Sequence, residues 1–180
     1  MKLYVSTINE IINQERAQSI LRDVGITKKI DGFSDCKNNC CCNSFNDGLE
    51  IRFDSFRMMD RFSSKLKRIF LTPIINLFIK NPDERFIEYH HKICGFFEIE
   101  NEKKMCIRLF LDIIFEFNQD IKRFLIHELM HIKKPLGHCD KPLCIFYHNY
   151  EKPKDKFNQV LLCEDCQKNF NKILEEINND

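Results

Sequence analysis

His127-Glu128-Leu129-Met130-His131 is the stretch on which the reading of this chain turns. H-E-x-x-H is the signature of zinc peptidases. Residues four apart on a helix share a face, so the two imidazoles can point at one ion with the carboxylate between them. The flanking sequence predicts that helix over residues 119–134. Ile121, Phe124, Leu125, Ile126, Leu129, Met130 and Ile132 surround most of its circumference, which predicts a buried element. Pro135 ends it, because proline supplies no N–H to continue the ladder. Further on come Gly137-His138-Cys139, Cys144 and Cys163-Glu164-Asp165-Cys166.

A catalytic zinc takes three protein ligands and keeps one position open. His127 and His131 supply two. His138 is the first candidate for the third, since Pro135 and Gly137 give the chain room to turn back; His148 and Glu151 are weaker candidates. Glu128, one step round the helix from His127, is placed to take a proton from a zinc-bound water as general base without ligating the metal. Cys139, Cys144, Cys163 and Cys166 form C-x4-C and C-x2-C pairs separated by eighteen residues, a spacing that suits a closed structural zinc site. A metal there would contribute folding energy to a loop with little core, and by anchoring Cys139 it would also support His138. The expected cofactors are therefore two zinc ions, one catalytic and one structural.

At 180 residues the chain suggests one domain, 1–180. Its parts are an N-terminal sheet and helices (1–118), the motif helix (119–134), and a ligand-rich loop with a final helix (135–180). Apolar residues make up 43% of the chain, enough for a sizeable core of Phe, Ile and Leu. With 28 basic and 27 acidic residues, the charge balance calls for neither nucleic acid nor an anionic membrane. Met1 to Val5 reads as a strand and not as a signal peptide. The apolar run Ile69 to Ile79 is interrupted by Thr72, Pro73 and Asn76 and is too short to span a bilayer. The expectation is a soluble, intracellular, cytoplasmic monomer, in which ten cysteines serve as metal ligands or buried thiols and not as disulfides.

Other segments complete an α+β pattern. Residues 2–8 predict a strand and 9–24 an amphipathic helix stopped by Gly25. Residues 31–48 read as a loop. Its Cys36, Cys40, Cys41 and Cys42 are either thiols without a defined role or ligands shared with His90 or His91. Residues 53–71 predict a helix with an apolar stripe and a solvated face carrying Arg57, Arg61, Lys65 and Arg68. Asn81-Pro82-Asp83 marks a turn. Residues 92–100 and 105–113 predict a hairpin, with Cys94 and Cys106 in the core. Residues 164–178 predict the last helix.

The motifs together resemble the archaemetzincin family of zinc peptidases. That family's pattern is H-E-x-x-H-x-x-G-x-x-H-C-x4-C-x-M, followed by C-x2-C. This chain reads HELMH-IKKPLG-HC-DKPL-C-IF and then CEDC. The likeness covers 127–166. It extends upstream to Cys94–Glu98 and Met105–Leu109, which resemble the paired strands before the family's active-site helix. The resemblance implies a zincin or metzincin-like fold with a small mixed sheet, a peptide substrate, and an aminopeptidase-like or small-peptide-cleaving activity. It implies that His127, His131 and His138 ligate catalytic zinc, that Glu128 is the base, and that Cys139, Cys144, Cys163 and Cys166 hold structural zinc. Residues 105–111 are the candidate edge strand for an extended peptide. The chain departs from the pattern in three places. Six residues separate His131 from His138 where the family has five; Pro135 stands at the family's glycine; Phe146 stands at the methionine beneath the metal. Alternatives from other classes are a catalytically inactive zinc-binding interaction protein of the same fold, and a SprT-like zinc protease.

Overall fold

The computed structural model describes residues 1–36, 45–55, 95–116, 120–135, 137–141, 144–147 and 162–179. Its fold is α+β, built on a mixed five-stranded sheet. In chain order the elements are β1 (Leu3–Ile8), α1 (Gln14–Asp23), β2 (Gly32–Cys36), β3 (Gly48–Asp54), β4 (Gly95–Asn101) and β5 (Lys104–Phe110). Then follow α2 (Leu111–Glu116), α3 (Ile121–Met130) and α4 (Glu164–Asn178). The sheet order is β2-β1-β3-β5-β4. β2, β1, β3 and β5 run parallel, and β4 returns antiparallel beside β5.

Strand periodicity gives the sheet two different faces. Leu3 pairs with Leu49, Val5 with Ile51, Ile51 with Ile107 and Phe53 with Leu109. These side chains are buried with Ala17, Ile20 and Leu21 of α1, Leu125 and Leu129 of α3, and Phe170, Ile173 and Ile177 of α4. α3 packs on β4 and β5 and against α1 and α4, which places the motif helix across the sheet's β5–β4 end. The opposite face is buried but charged. Glu50 accepts hydrogen bonds from Ser6 Oγ at 2.7 Å and from Arg52 Nε and Nη2, both at 2.8 Å, and pairs with Lys104 at 3.0 Å. Burial pushes the Glu50 carboxyl up, yet Arg52, Ser6 and Lys104 outweigh it and hold its pKa below the ordinary value. Asp54 pairs with Arg108 at 3.0 Å; there burial wins, and its pKa is raised.

Helix ends follow local chemistry. Asn13 caps α1 by accepting from the Arg16 N–H at 2.8 Å, so the helix begins five residues later than 9–24 predicts. Gly25, at φ +94°, ends it as expected. Asp120 caps α3, accepting from the Lys122 N–H at 3.0 Å. α3 ends at Met130 with His131 as its C-cap, four residues short of the stop expected at Pro135.

Four readings of the sequence need correction. Part of the 31–48 loop is β2, a polar segment held by parallel pairing to β1 and by the Asp31 carboxylate, which accepts from the Leu3 N–H at 2.7 Å. Phe53 and Asp54 close β3 and do not open a helix; 56–71 lies outside the described residues. The strand expected over 105–113 stops at Phe110, where α2 begins. Finally, β5 is not an edge: β3 and β4 flank it on both sides, so its ladder groups are already engaged. Among the described residues the edge beside β5 is β4. The helix expected over 164–178 matches α4.

Candidate functional site

α3 and the turn after it bring three histidines together. One ring nitrogen each from His127, His131 and His138 lie within 4.8 Å of one another. Their ring centroids are 5.3 Å (127–131), 5.2 Å (127–138) and 4.9 Å (131–138) apart. The six-residue spacer therefore brings His138 beside the other two histidines.

Two of the rings have their orientation set by backbone carbonyls. His127 Nδ1 lies 2.9 Å from the Ile145 carbonyl oxygen, and His131 Nδ1 lies 3.1 Å from that of Lys134. A carbonyl only accepts, so each Nδ1 carries the proton and Nε2 keeps the lone pair a metal needs. Burial keeps both imidazoles neutral, lowering the His127 pKa to about 4 and the His131 pKa below its ordinary value, against the pull of those carbonyls. Phe146, fully buried, lies beneath the group, its ring 5.3, 5.0 and 5.2 Å from those of His127, His131 and His138. In sequence it stands where the archaemetzincin pattern has a methionine.

Glu128 is buried next to His127 but does not join the three-histidine cluster. Loss of water around its carboxyl raises its pKa to about 8. The consequence can be measured on metal-free protein. A raised folded-state pKa contributes stability below the unfolded value of 4.5, and that stability is lost as pH rises through about 8. Metal-free Glu128→Gln will therefore be more stable than metal-free wild type at pH 8, and the gap will shrink towards pH 5. Denaturant midpoints at the two pH values test this; a gap independent of pH would contradict it.

A second cluster adjoins the first. The sulfurs of Cys139, Cys144, Cys163 and Cys166 all lie within 4.8 Å of one another. Cys139 and Cys163 are 3.7 Å apart, far beyond the ~2.05 Å of a disulfide. Four thiolates at ~2.3 Å from a tetrahedral ion sit ~3.8 Å apart, so this spacing fits a metal ion. Burial raises the pKa of Cys139 and Cys166, while at Cys163 hydrogen bonds from Cys166, Cys139 and Cys144 outweigh burial and lower it. Cys163 thus gives up its proton more readily than Cys139 or Cys166.

The clusters share a short piece of chain. His138 precedes Cys139, whose N–H donates to the Phe146 carbonyl at 2.8 Å. Cys144 precedes Ile145, whose carbonyl orients His127. Fixing the thiols therefore fixes one histidine's backbone, another's ring and the floor under all three.

Both residue sets fit metal ions: a three-nitrogen set suited to a site with an open position, and a four-sulfur set suited to a closed one. His148, Glu151, Cys40, Cys41, Cys42, His90, His91 and Cys94 lie outside the described residues. Cys36 ends β2, and Cys106 is buried in β5. Sequence reasoning missed the carbonyls of Ile145 and Lys134, because a backbone acceptor leaves no trace in residue type. Among the described residues, no helix is long and apolar enough to cross a membrane. No protein-family model, no curated protein and no solved structure matches this chain.

Proposed function

We propose that the protein is a zinc-dependent metallopeptidase of metzincin-like fold, close in design to the archaemetzincins, with a second, structural zinc. The observation that carries this reading is the convergence of His127, His131 and His138 above Phe146, with Glu128 buried one residue along the helix. A zinc ion held by the three imidazoles would supply a Lewis acid for the scissile carbonyl and would acidify a water. Glu128 takes the proton from the attacking water and returns it to the departing amine. Its burial makes it a stronger base than an exposed carboxylate, and a nearby divalent cation favours its ionised form at neutral pH.

β4 is the peptide-binding edge in this reading. Among the described residues no strand pairs with its outer side, and the Phe97 ring lies 6.2 Å from that of His131. An extended peptide added to that edge runs past the histidines with its backbone fixed by ladder hydrogen bonds. The cysteine cluster is the structural site. The cavity of about 510 Å³ beside it is lined by Lys133, Lys134, Lys141 and Lys172 together with Asp140 and Asp165, and Lys141 pairs with Asp165 at 3.1 Å.

The test is metal content together with digestion of a peptide mixture. Two zinc ions per chain are expected, the histidine-bound one removed first by mild chelation and hydrolysis lost with it. Hydrolysis that survives removal of that zinc, or a chain that takes up only one ion, would refute the reading.

A further inference from the structure

The turn from His131 to His138 contains Ile132 to Gly137, and Lys134 touches both histidines that it joins. Its carbonyl oxygen lies 3.1 Å from His131 Nδ1 and also accepts from the Gly137 N–H at 3.3 Å. Its N–H donates to the Met130 carbonyl at 3.2 Å, which ties the turn to the end of α3. Its ammonium reaches across the turn and donates to the His138 carbonyl. Gly137 leaves room for this crossing. A Cβ there would lie 2.5 Å from Lys134 Cε, 3.2 Å from Cγ and 3.3 Å from Cδ.

We propose that Lys134 is a positioning residue for the histidine centre. Its carbonyl sets the ring of His131, and its ammonium draws in the backbone of His138. The peptide link to Cys139 holds His138 on one side and Lys134 holds it on the other. A turn one residue longer than the family pattern closes because this side chain spans it. Lys134 belongs to neither ligand cluster and acts through two of the histidines. The inference rests on the reading of the three histidines as a metal centre.

The experiment uses protein whose cysteine centre retains its zinc and whose histidine centre has been emptied by mild chelation. Cobalt(II) is then titrated in, and its visible ligand-field bands report affinity and coordination. Lys134→Met is expected to weaken cobalt binding roughly tenfold, the low end of the usual loss when a partner of a metal ligand is removed. It is also expected to alter the band pattern as the third nitrogen loosens. Gly137→Ala should do the same, because the added methyl displaces the lysine stem. Lys134→Arg should restore most of the affinity. The double variant should be no weaker than the worse single one, since both remove one interaction. Unchanged affinity and spectra in both Lys134→Met and Gly137→Ala would overturn the inference alone. A wild-type protein that binds no cobalt at the histidines would overturn the metal-centre reading and the inference with it.

Discussion

Replacing Glu128 with Gln will lower peptide hydrolysis by about 10²–10⁴-fold, the usual worth of a positioned general base. Zinc content will stay at two ions per chain, because Glu128 stands outside both ligand clusters. Glutamine keeps the shape and removes the carboxylate to which the proposed mechanism gives the proton transfer. The same variant is expected to stabilise the metal-free fold at alkaline pH, since the buried carboxyl no longer has to ionise. One substitution should thus move turnover and stability in opposite directions. A variant that still cleaves peptides at the wild-type rate would remove Glu128 from the mechanism, and a loss of metal would recast it as a ligand.

Cys166→Ser is expected to have the largest effect on folding. Cys166 is a buried member of the four-sulfur cluster in the first turn of α4. Zinc binding at structural sites in small domains is worth about 10–16 kcal/mol, so losing one ligand will cost several kcal/mol. Cys166 lies far in sequence from His138, so any loss of metal at the histidines would report coupling between the clusters and not local damage. That coupling runs through the Ile145 carbonyl on His127, the Phe146 floor and the Cys139 N–H on Phe146. Metal analysis and denaturant unfolding of the variant test it. Full zinc content and an unshifted transition would mean that Cys166 is not a metal ligand.

The site was more legible in the sequence than the sheet. Ligand residue types at helical and C-x2-C spacing identify both clusters, because metal geometry constrains side chains directly. The spacer departs from the family pattern at His138, and a count of residues cannot show how Lys134 and Gly137 fold the turn between the two histidines. β3 was hidden for a different reason. Gly48–Asp54 alternates Leu49, Ile51 and Phe53 with Glu50, Arg52 and Asp54, and both sets are buried. The charges neutralise one another within β3 and across to β5, an arrangement that residue types alone present as a solvated face. β2 was missed because pairing with β1, and not its own pattern, makes it a strand. The antiparallel order of β4 beside β5 was expected as a hairpin, but which of the two is the edge depends on β3, which that reading lacked.

The docking of α4 bears on the order of events during synthesis. The side chain of Asn178 accepts from the N–H groups of Thr27 and Lys28 at 2.9 and 3.2 Å, and donates to the Gly25 carbonyl at 3.0 Å. The last turn of α4 is thus stitched to a segment made some 150 residues earlier. At about 5–20 residues per second, the twenty-eight residues from His138 to Cys166 take roughly one to six seconds to add. A growing chain therefore contains all three histidines, Cys139 and Cys144 before Cys163 and Cys166 have been made. The four-sulfur cluster can close only after the first turn of α4 has been added, so the two halves of that cluster meet late in synthesis.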